Sequence, residues 1–400
     1  MKTASPFWRQ LPPLIEVSLI SLWRHRWASA TVAACVMLVV LVLLAFLAMA
    51  DGFERSMRNT GEPDVAVLLA PEASSEAASR LTREQVSLLA AAPGIAQGAD
   101  GPLLSAEFSM TVGLPRSDGG GRQNINLRGL EAAGLALRPG LRIVQGRLFE
   151  RGRNEIIIGR RLAAQGPELK LGQTTRLAGR DWVVVGVYAL DAALFESEAW
   201  ADITAVQSAY GRANQYQSLR ARLQGADAAA QARSLAALAA HLAQDPRLKL
   251  SVQTEREFFQ RQSEGTSNLM VYLGWPLAAV LAAGTGVGTF NTLSIAVQAR
   301  RRSLKVLNLL GFGAAAVAAC VLLEALLLSL LGALAGAAVG WVAFNGLPGS
   351  TVGSGFTSIQ FNWQLGIHSL LQALGLALAV GTLGGLVPAW RTLKSPRGVV

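Results

Sequence analysis

Four continuous apolar stretches, from about Ala28 to Ala50, Leu269 to Val297, Ala314 to Phe344 and Ile367 to Trp390, decide what this chain can fold into. Each holds at least the ~20 residues an α-helix needs to cross a bilayer. Hydrocarbon satisfies no backbone N–H or C=O, so runs of this length cross as helices. With 51% hydrophobic and 16% charged residues, and a mean hydropathy of +0.35, the composition excludes an ordinary soluble protein. Between the first two runs lies a polar segment of globular composition, 51–268. It is long enough for a core of its own, expected in two subdomains.

A formal net charge of +10 and a pI near 10.4 invite a nucleic-acid reading, but the placement of the charges answers it. From Asp51 to Asn268 there are 25 Lys and Arg against 24 Asp and Glu. The other 11 basic residues flank the spans: Lys2, Arg9, Arg24 and Arg26; Arg300, Arg301, Arg302 and Lys305; Arg391, Lys394 and Arg397. Only Glu16 and Glu324 oppose them, and 345–366 holds no charged side chain. By the positive-inside bias both termini and the loop between spans two and three are cytoplasmic, and the basic excess is topology. The division is then a cytoplasmic segment 1–27, spans 28–50, 269–297, 314–344 and 367–390, an extracytoplasmic domain 51–268, a cytoplasmic segment 298–313, an external loop 345–366 and a cytoplasmic tail 391–400. The fold class is an α-helical membrane protein with four transmembrane helices and an α+β extracytoplasmic domain inserted between helices 1 and 2.

Ala48-Met49-Ala50 ahead of Asp51 resembles a signal-peptidase site. The apolar run exceeds the ~7–15 residues of a signal h-region, so a retained span is expected. Cys35 and Cys320 both fall in apolar runs, which implies no disulfide framework.

Within the outer segment short strands alternate with helices. Val65 to Leu69 reads as a strand, and Thr82-Arg83-Glu84-Gln85 is a capping-box helix start. Ser117 to Arg122 reads as a hairpin tip, Asn154 to Gly159 as a buried strand, and Thr174 to Leu177 with Trp182 to Tyr188 as a hairpin about Gly179. Asp227 to Ala243 reads as a helix, followed by a strand near Leu248 to Gln253. From Glu255 a helical pattern runs without a break into span two, which implies a rigid helix projecting from the membrane, with a kink expected at Pro276.

Catalytic and metal signatures are absent. His25, His241 and His368 are the only histidines and are far apart in sequence. No G-x-x-x-x-G-K-[ST] loop occurs, so ATP and its Mg are expected on a partner if nucleotide energy is used. Gly284 and Gly288, Gly332, Gly336 and Gly340, and Gly381 with Gly385 mark close helix approaches, either within one bundle or at a dimer interface. Glu324 is the one acidic residue inside a span, read as structural and paired with a polar group or a helix terminus.

The densest signal is Asn291 to Phe312: a basic cluster leaving span two, a short amphipathic segment ending in Leu310-Gly311, then a span carrying Leu323-Glu324-Ala325-Leu326. With Gly146-Arg147-Leu148-Phe149, Glu155 to Gly159, Leu171-Gly172, Val183 to Val187 and Pro388-Ala389-Trp390-Arg391, it resembles the MacB/FtsX-type ABC transporter permeases over nearly the whole chain. The resemblance implies a permease subunit that relays the motion of a separate ATPase to an extracytoplasmic domain, driving export or extraction from the outer side of the membrane. It also implies the bacterial inner membrane, a second permease subunit (homo- or heterodimer), and a periplasmic adaptor protein as a further partner. In that family the segment after span two commonly reads Arg-x-x-Glu-Ile-Gly and seats on the ATPase. Here Arg302-Ser303-Leu304-Lys305-Val306 lacks the acidic residue, and Arg301, Arg302, Lys305, Leu307 and Phe312 are the expected docking residues. The plain alternative is that these cations fix orientation at the anionic leaflet. A second function class is an FtsX-like regulator in which the same relay activates an extracytoplasmic hydrolase. The substrate stays open among peptide, lipopeptide, lipoprotein and small hydrophobic compound.

Overall fold

A computed structural model describes residues 26–58, 60–99, 101–115, 122–166, 169–177, 179–190, 194–299, 314–352 and 358–393. Its principal helices are α1 (Arg26–Arg58), α2 (Ala228–Gln244), α3 (Glu255–Ala299), α4 (Ala314–Phe344) and α5 (Ile367–Leu393). All but α2 are long and apolar enough to cross a membrane. The chain divides into two compact units, one of 1–51, 268–347 and 363–400 and one of 52–267 and 348–362.

In the membrane unit, Val36, Val40, Leu43, Leu44 and Leu47 of α1 pack with Ala278 and Ala282 of α3, Ala333 of α4, and Ala373, Ala377 and Val380 of α5. Large side chains on one helix meet small ones on its neighbours, which lets the backbones come close. Asp51 gives this unit a polar tie: its carboxylate accepts from Gly366 N at 3.0 Å and Ser369 Oγ at 2.6 Å. A carboxylate there satisfies donors at the start of α5 and complements the helix dipole. The α3 helix runs unbroken through Pro276, which cannot donate to the carbonyl four residues back.

In the outer unit the strands are β1 (Val65–Leu69), β2 (Leu104–Pro115), β3 (Arg122–Leu130), β4 (Arg142–Gly146), β5 (Glu155–Gly159), β6 (Thr174–Leu177), β7 (Arg180–Ala189), β8 (Glu198–Asp202), β9 (Ser218–Arg222) and β10 (Ser251–Thr254). They form one mixed sheet in the order β10-β1-β9-β2-β3-β8-β5-β7-β4, with β6 paired to β7. Only β3 with β8 and β5 with β7 run parallel among its pairs. Strand β2 is shared by two apolar clusters. Leu104 and Ala106 join the one built on Ala66, Leu219, Leu238 and Leu242, while Phe108, Val112 and Leu114 join the one built on Ile156, Ile158, Trp182 and Val184. Both cores lie within the one compact unit of 52–267 and 348–362.

The sequence between spans three and four that carries no charge folds as a hairpin, β11 (Pro348–Val352) with β12 (Ser358–Asn362). It belongs to the outer unit: Phe361 packs edge-on against Phe53 at 5.5 Å, and Gln360 O accepts from Arg161 Nη1 at 3.4 Å. Ile359 and Phe361 are its buried side chains, while Pro348, Ser350 and Asn362 stay exposed. The expected hairpin tip after Ser117 lies outside the described residues apart from Arg122, which pairs with Pro115.

Candidate functional site

Because side chains alternate along a strand, the residues opposite the apolar face of the sheet fall into line as well: Glu107 on β2, Arg128 on β3, Glu198 on β8, and Ser218 and Arg220 on β9. Such alternation normally marks a solvated face. Here all five are buried, because Glu76 on a short 3-10 turn, Arg138 after the Ala132–Ala136 helix, and Glu255 at the start of α3 complete a closed network over them.

Arg128 is its hub. Its Nε donates to Glu198 at 2.8 Å, Nη1 to Glu76 and Glu107 at 2.9 Å, and Nη2 to Glu76 and Glu198 at 2.9 Å. That engages all five guanidinium donors. Arg220 Nη1 reaches Glu76 at 2.7 Å and Ser218 Oγ at 3.0 Å, and its Nε reaches Glu255 at 2.7 Å. Arg138 donates to Glu107 at 2.9 Å and lies 5.0 Å over the rings of Phe195 and Trp200. Trp200 Nε1 also donates to Glu198 at 2.8 Å.

Burial raises the Glu76 carboxyl, but Arg128 and Arg220 outweigh it and hold the group well below the usual carboxylate range. Glu107 is likewise pushed up by burial and brought below its ordinary value by Arg138, Arg220 and Arg128. Burial lowers Arg128, while Glu198 and Glu76 more than reverse that and keep it well above its ordinary value. Glu76, Glu107 and Arg128 are therefore charged throughout the neutral range. Among the described residues no group of three or more His, Cys, Asp or Glu could hold a metal ion. With every carboxylate of the network held by a guanidinium, the arrangement fixes geometry and offers no free acid or base.

Sequence reasoning missed this network. Its signal was present in Ser218-Leu-Arg-Ala-Arg222 and Glu198-Ala-Trp-Ala-Asp202, where side chains able to hydrogen-bond recur every second residue with Leu or Ala between. What no strand shows by itself is the cover.

Of the residues singled out from sequence, Arg301, Arg302, Lys305, Leu307 and Phe312 lie outside the described residues. Glu324 is buried on α4. The glycines divide. A Cβ at Gly332 would lie 2.5 Å from Ala33 O, one at Gly336 2.9 Å from Val40, and one at Gly340 3.1 Å from Leu44, so these three seat α4 on α1. Gly381 and Gly385 seat α5 against Ser329 and Ala325 of α4. Among the described residues, Gly284 and Gly288 have nothing within 4 Å of such a Cβ. Two further close approaches in the spans carry no four-residue glycine spacing of that kind, Gly274 against Phe46 and Gly384 against Thr289.

Gly332→Leu is accordingly expected to cost about 1–3 kcal/mol by overpacking, whereas Gly284→Leu leaves stability unchanged. Thermal unfolding of the two purified variants and their abundance in membranes measures the difference. Equal behaviour would contradict the packing described.

Residues 29–238, more than half of the chain, match the model of the MacB-like periplasmic core domain, and residues 276–397 match that of the FtsX-like permease C-terminal region. The chain is 29% identical over 131 residues to the macrolide export ATP-binding/permease protein MacB of Syntrophobacter fumaroxidans, a stretch covering 32% of this chain and 17% of that protein. The match thus spans less than a fifth of the length of this curated relative. Among solved structures, the extracellular domain of the ABC-type transporter YknZ from Gram-positive bacteria aligns with a TM-score of 0.35 and 17% identity, over 48% of this chain and 100% of that one. The periplasmic region of MacB from Actinobacillus actinomycetemcomitans aligns with a TM-score of 0.36 and 14% identity, over 49% and 91%.

Proposed function

Since the chain belongs to the MacB/FtsX family of ABC transporter permeases, we propose that it is the subunit through which a separate ATP-binding subunit moves an outer domain. The observation that carries this reading is α3. One helix begins at Glu255 in the charge network of the outer unit and ends at Ala299, one residue short of the basic cluster Arg300-Arg301-Arg302. A helix of 45 residues transmits displacement along its length, about 1.5 Å per residue, without a pore through the spans.

In this reading ATP and Mg are bound by the partner, and closure of two ATP-binding subunits shifts the segment 298–313 of each permease chain. Arg301, Arg302 and Lys305 steer docking and Leu307 and Phe312 anchor it, as charged rims and buried apolar groups do at interfaces. The outer unit then works on a substrate at the outer face of the inner membrane, with a periplasmic adaptor receiving it. Macrolide export, named for the relative, is one substrate class; peptides and lipoproteins are others.

Orientation is the first thing to test. Ser117→Cys and Ser354→Cys are expected to react with an impermeant thiol reagent from outside the membrane, and Ser303→Cys to be protected. Reaction of Ser303→Cys from outside would put the basic segment on the wrong side for an ATPase and end the proposal.

A further inference from the structure

The geometry points to the head of α3 as a fixed joint, at which the Arg220–Glu255 ion pair and the Phe195–Phe259 contact hold the helix and the outer sheet together as one lever. The inference rests on the relay reading, because a lever matters only if something moves it.

The chain allows no slack at this point. Thr254 is the last residue of β10, paired with Ala66 of β1, and Glu255 is the first residue of α3, so no linker separates sheet from helix. Thr254 and Glu257 close a capping box: Glu257 N donates to Thr254 Oγ1 at 3.2 Å, and Thr254 N to Glu257 Oε2 at 3.4 Å. A second strap comes from the segment entering β1. Glu62 N donates to Glu255 Oε2 at 3.0 Å, leaving Oε1 for Arg220. Gly61, at φ +90°, brings the backbone so close that a Cβ there would be 2.9 Å from the Phe259 ring. One turn along α3, Phe259 meets Phe195 edge-on at 5.6 Å, and Phe195 meets Trp200 of β8 at 5.9 Å.

The choice of charges over apolar groups is informative. Replacing a buried ion network with well-packed hydrophobic residues is often neutral or stabilising, so such a network is weak evidence for stability and better evidence for a required unique geometry. An apolar seat tolerates sliding. Glu255, held from two sides at 2.7 and 3.0 Å, does not. Arg220 carries the same constraint inward to Glu76, and Arg128 spreads it to β2, β3 and β8. Arg220 and Glu255 are thus positioning residues for the relay.

The test uses the full chain in lipid nanodiscs, with Cys35 and Cys320 replaced by alanine and spin labels at Ala232→Cys on α2 and Arg261→Cys on α3, both exposed. A fixed joint gives one narrow distance distribution, the same without nucleotide and with the ATPase trapped by ADP and vanadate. Glu255→Ala is expected to lose the single narrow peak, and Glu255→Gln, which keeps an acceptor for the Glu62 amide, to retain most of it. A second label pair, Arg176→Cys on β6 with Arg212→Cys in the loop before β9, reports whether Glu255→Ala has merely unfolded the outer unit, in which case the wild-type comparison decides. A distribution that shifts with nucleotide in the wild type, or stays narrow in a folded Glu255→Ala chain, overturns the fixed joint. The width without nucleotide needs no ATPase, so failure of the relay itself leaves this result standing.

Discussion

Arg128→Ala is expected to unfold the outer unit, with a loss of about 3–5 kcal/mol from the removal of one partner of a buried ion network. The size follows from the geometry. Arg128 occupies one oxygen or more on each of Glu76, Glu107 and Glu198, and the Glu107 and Glu198 side chains are buried, with Glu76 nearly so. Arg128→Lys returns the charge on an ammonium with three donors in place of a five-donor fork, so it is expected to recover part of the loss. Arg247→Ala is the contrasting case. Its partner Asp245 is 2.7 Å away on the surface, where screening and side-chain entropy leave such pairs little net effect, and unfolding should be unchanged. Thermal or urea unfolding of the purified full chain, read by protease resistance of 52–267, separates the three.

The same network sets a pH dependence. Glu76 is held well below its ordinary value in the folded state and Glu107 is lowered from its own, so their contribution is fully present above the unfolded value, about 4.3 for a glutamate, and is lost as pH falls through the depressed folded values. The outer unit is therefore expected to keep its stability from neutral pH down to the ordinary glutamate range and to lose it steeply in stronger acid. In Arg128→Ala that loss should begin at a higher pH. A transition that does not move between wild type and variant would show that other groups control acid unfolding.

Much of the architecture was legible because each element carries a local reason. The spans are long apolar runs, and Val65 to Leu69 is β-branched or apolar throughout and forms β1 as read. Thr82 and Gln85 make the expected capping box, Asp227 caps α2, and the helical pattern from Glu255 is the start of α3. The hairpin 348–362 was hidden by its own composition, since Pro348, Gly349, Gly353 and Gly355 are loop signals whether or not a sheet follows. Glycine spacing marked close helix approaches but not their partners: Gly332 and Gly336 meet α1, while Gly284 and Gly288 meet nothing among the described residues. Spacing is a property of one helix, and packing is a property of two. The charge network was illegible for the same reason, because Glu107, Arg128 and Arg220 become buried only when Glu76, Arg138 and Glu255 close over them from elsewhere in the chain.

The largest functional effect is expected at the segment after α3, where docking should be lost without loss of fold. Arg301, Arg302 and Lys305 put concentrated positive charge directly after that helix in the sequence, and Leu307 is the proposed apolar anchor. Leu307→Asp places a charge where an interface would bury an aliphatic side chain, so it should abolish binding of the ATPase. Arg301→Ala and Arg302→Ala weaken it, with a stronger dependence on salt in the wild type than in the variants. Membrane insertion should survive all three, because Arg300 and the basic residues flanking α1 and α5 preserve the orientation signal. The most direct measurement of the relay is therefore co-purification of the ATP-binding subunit with the full chain, and ATP hydrolysis by that complex in nanodiscs, for wild type and Leu307→Asp at matched membrane abundance. The account predicts a stable complex with permease-dependent hydrolysis for the wild type and neither for Leu307→Asp; equal binding and turnover in both would contradict it.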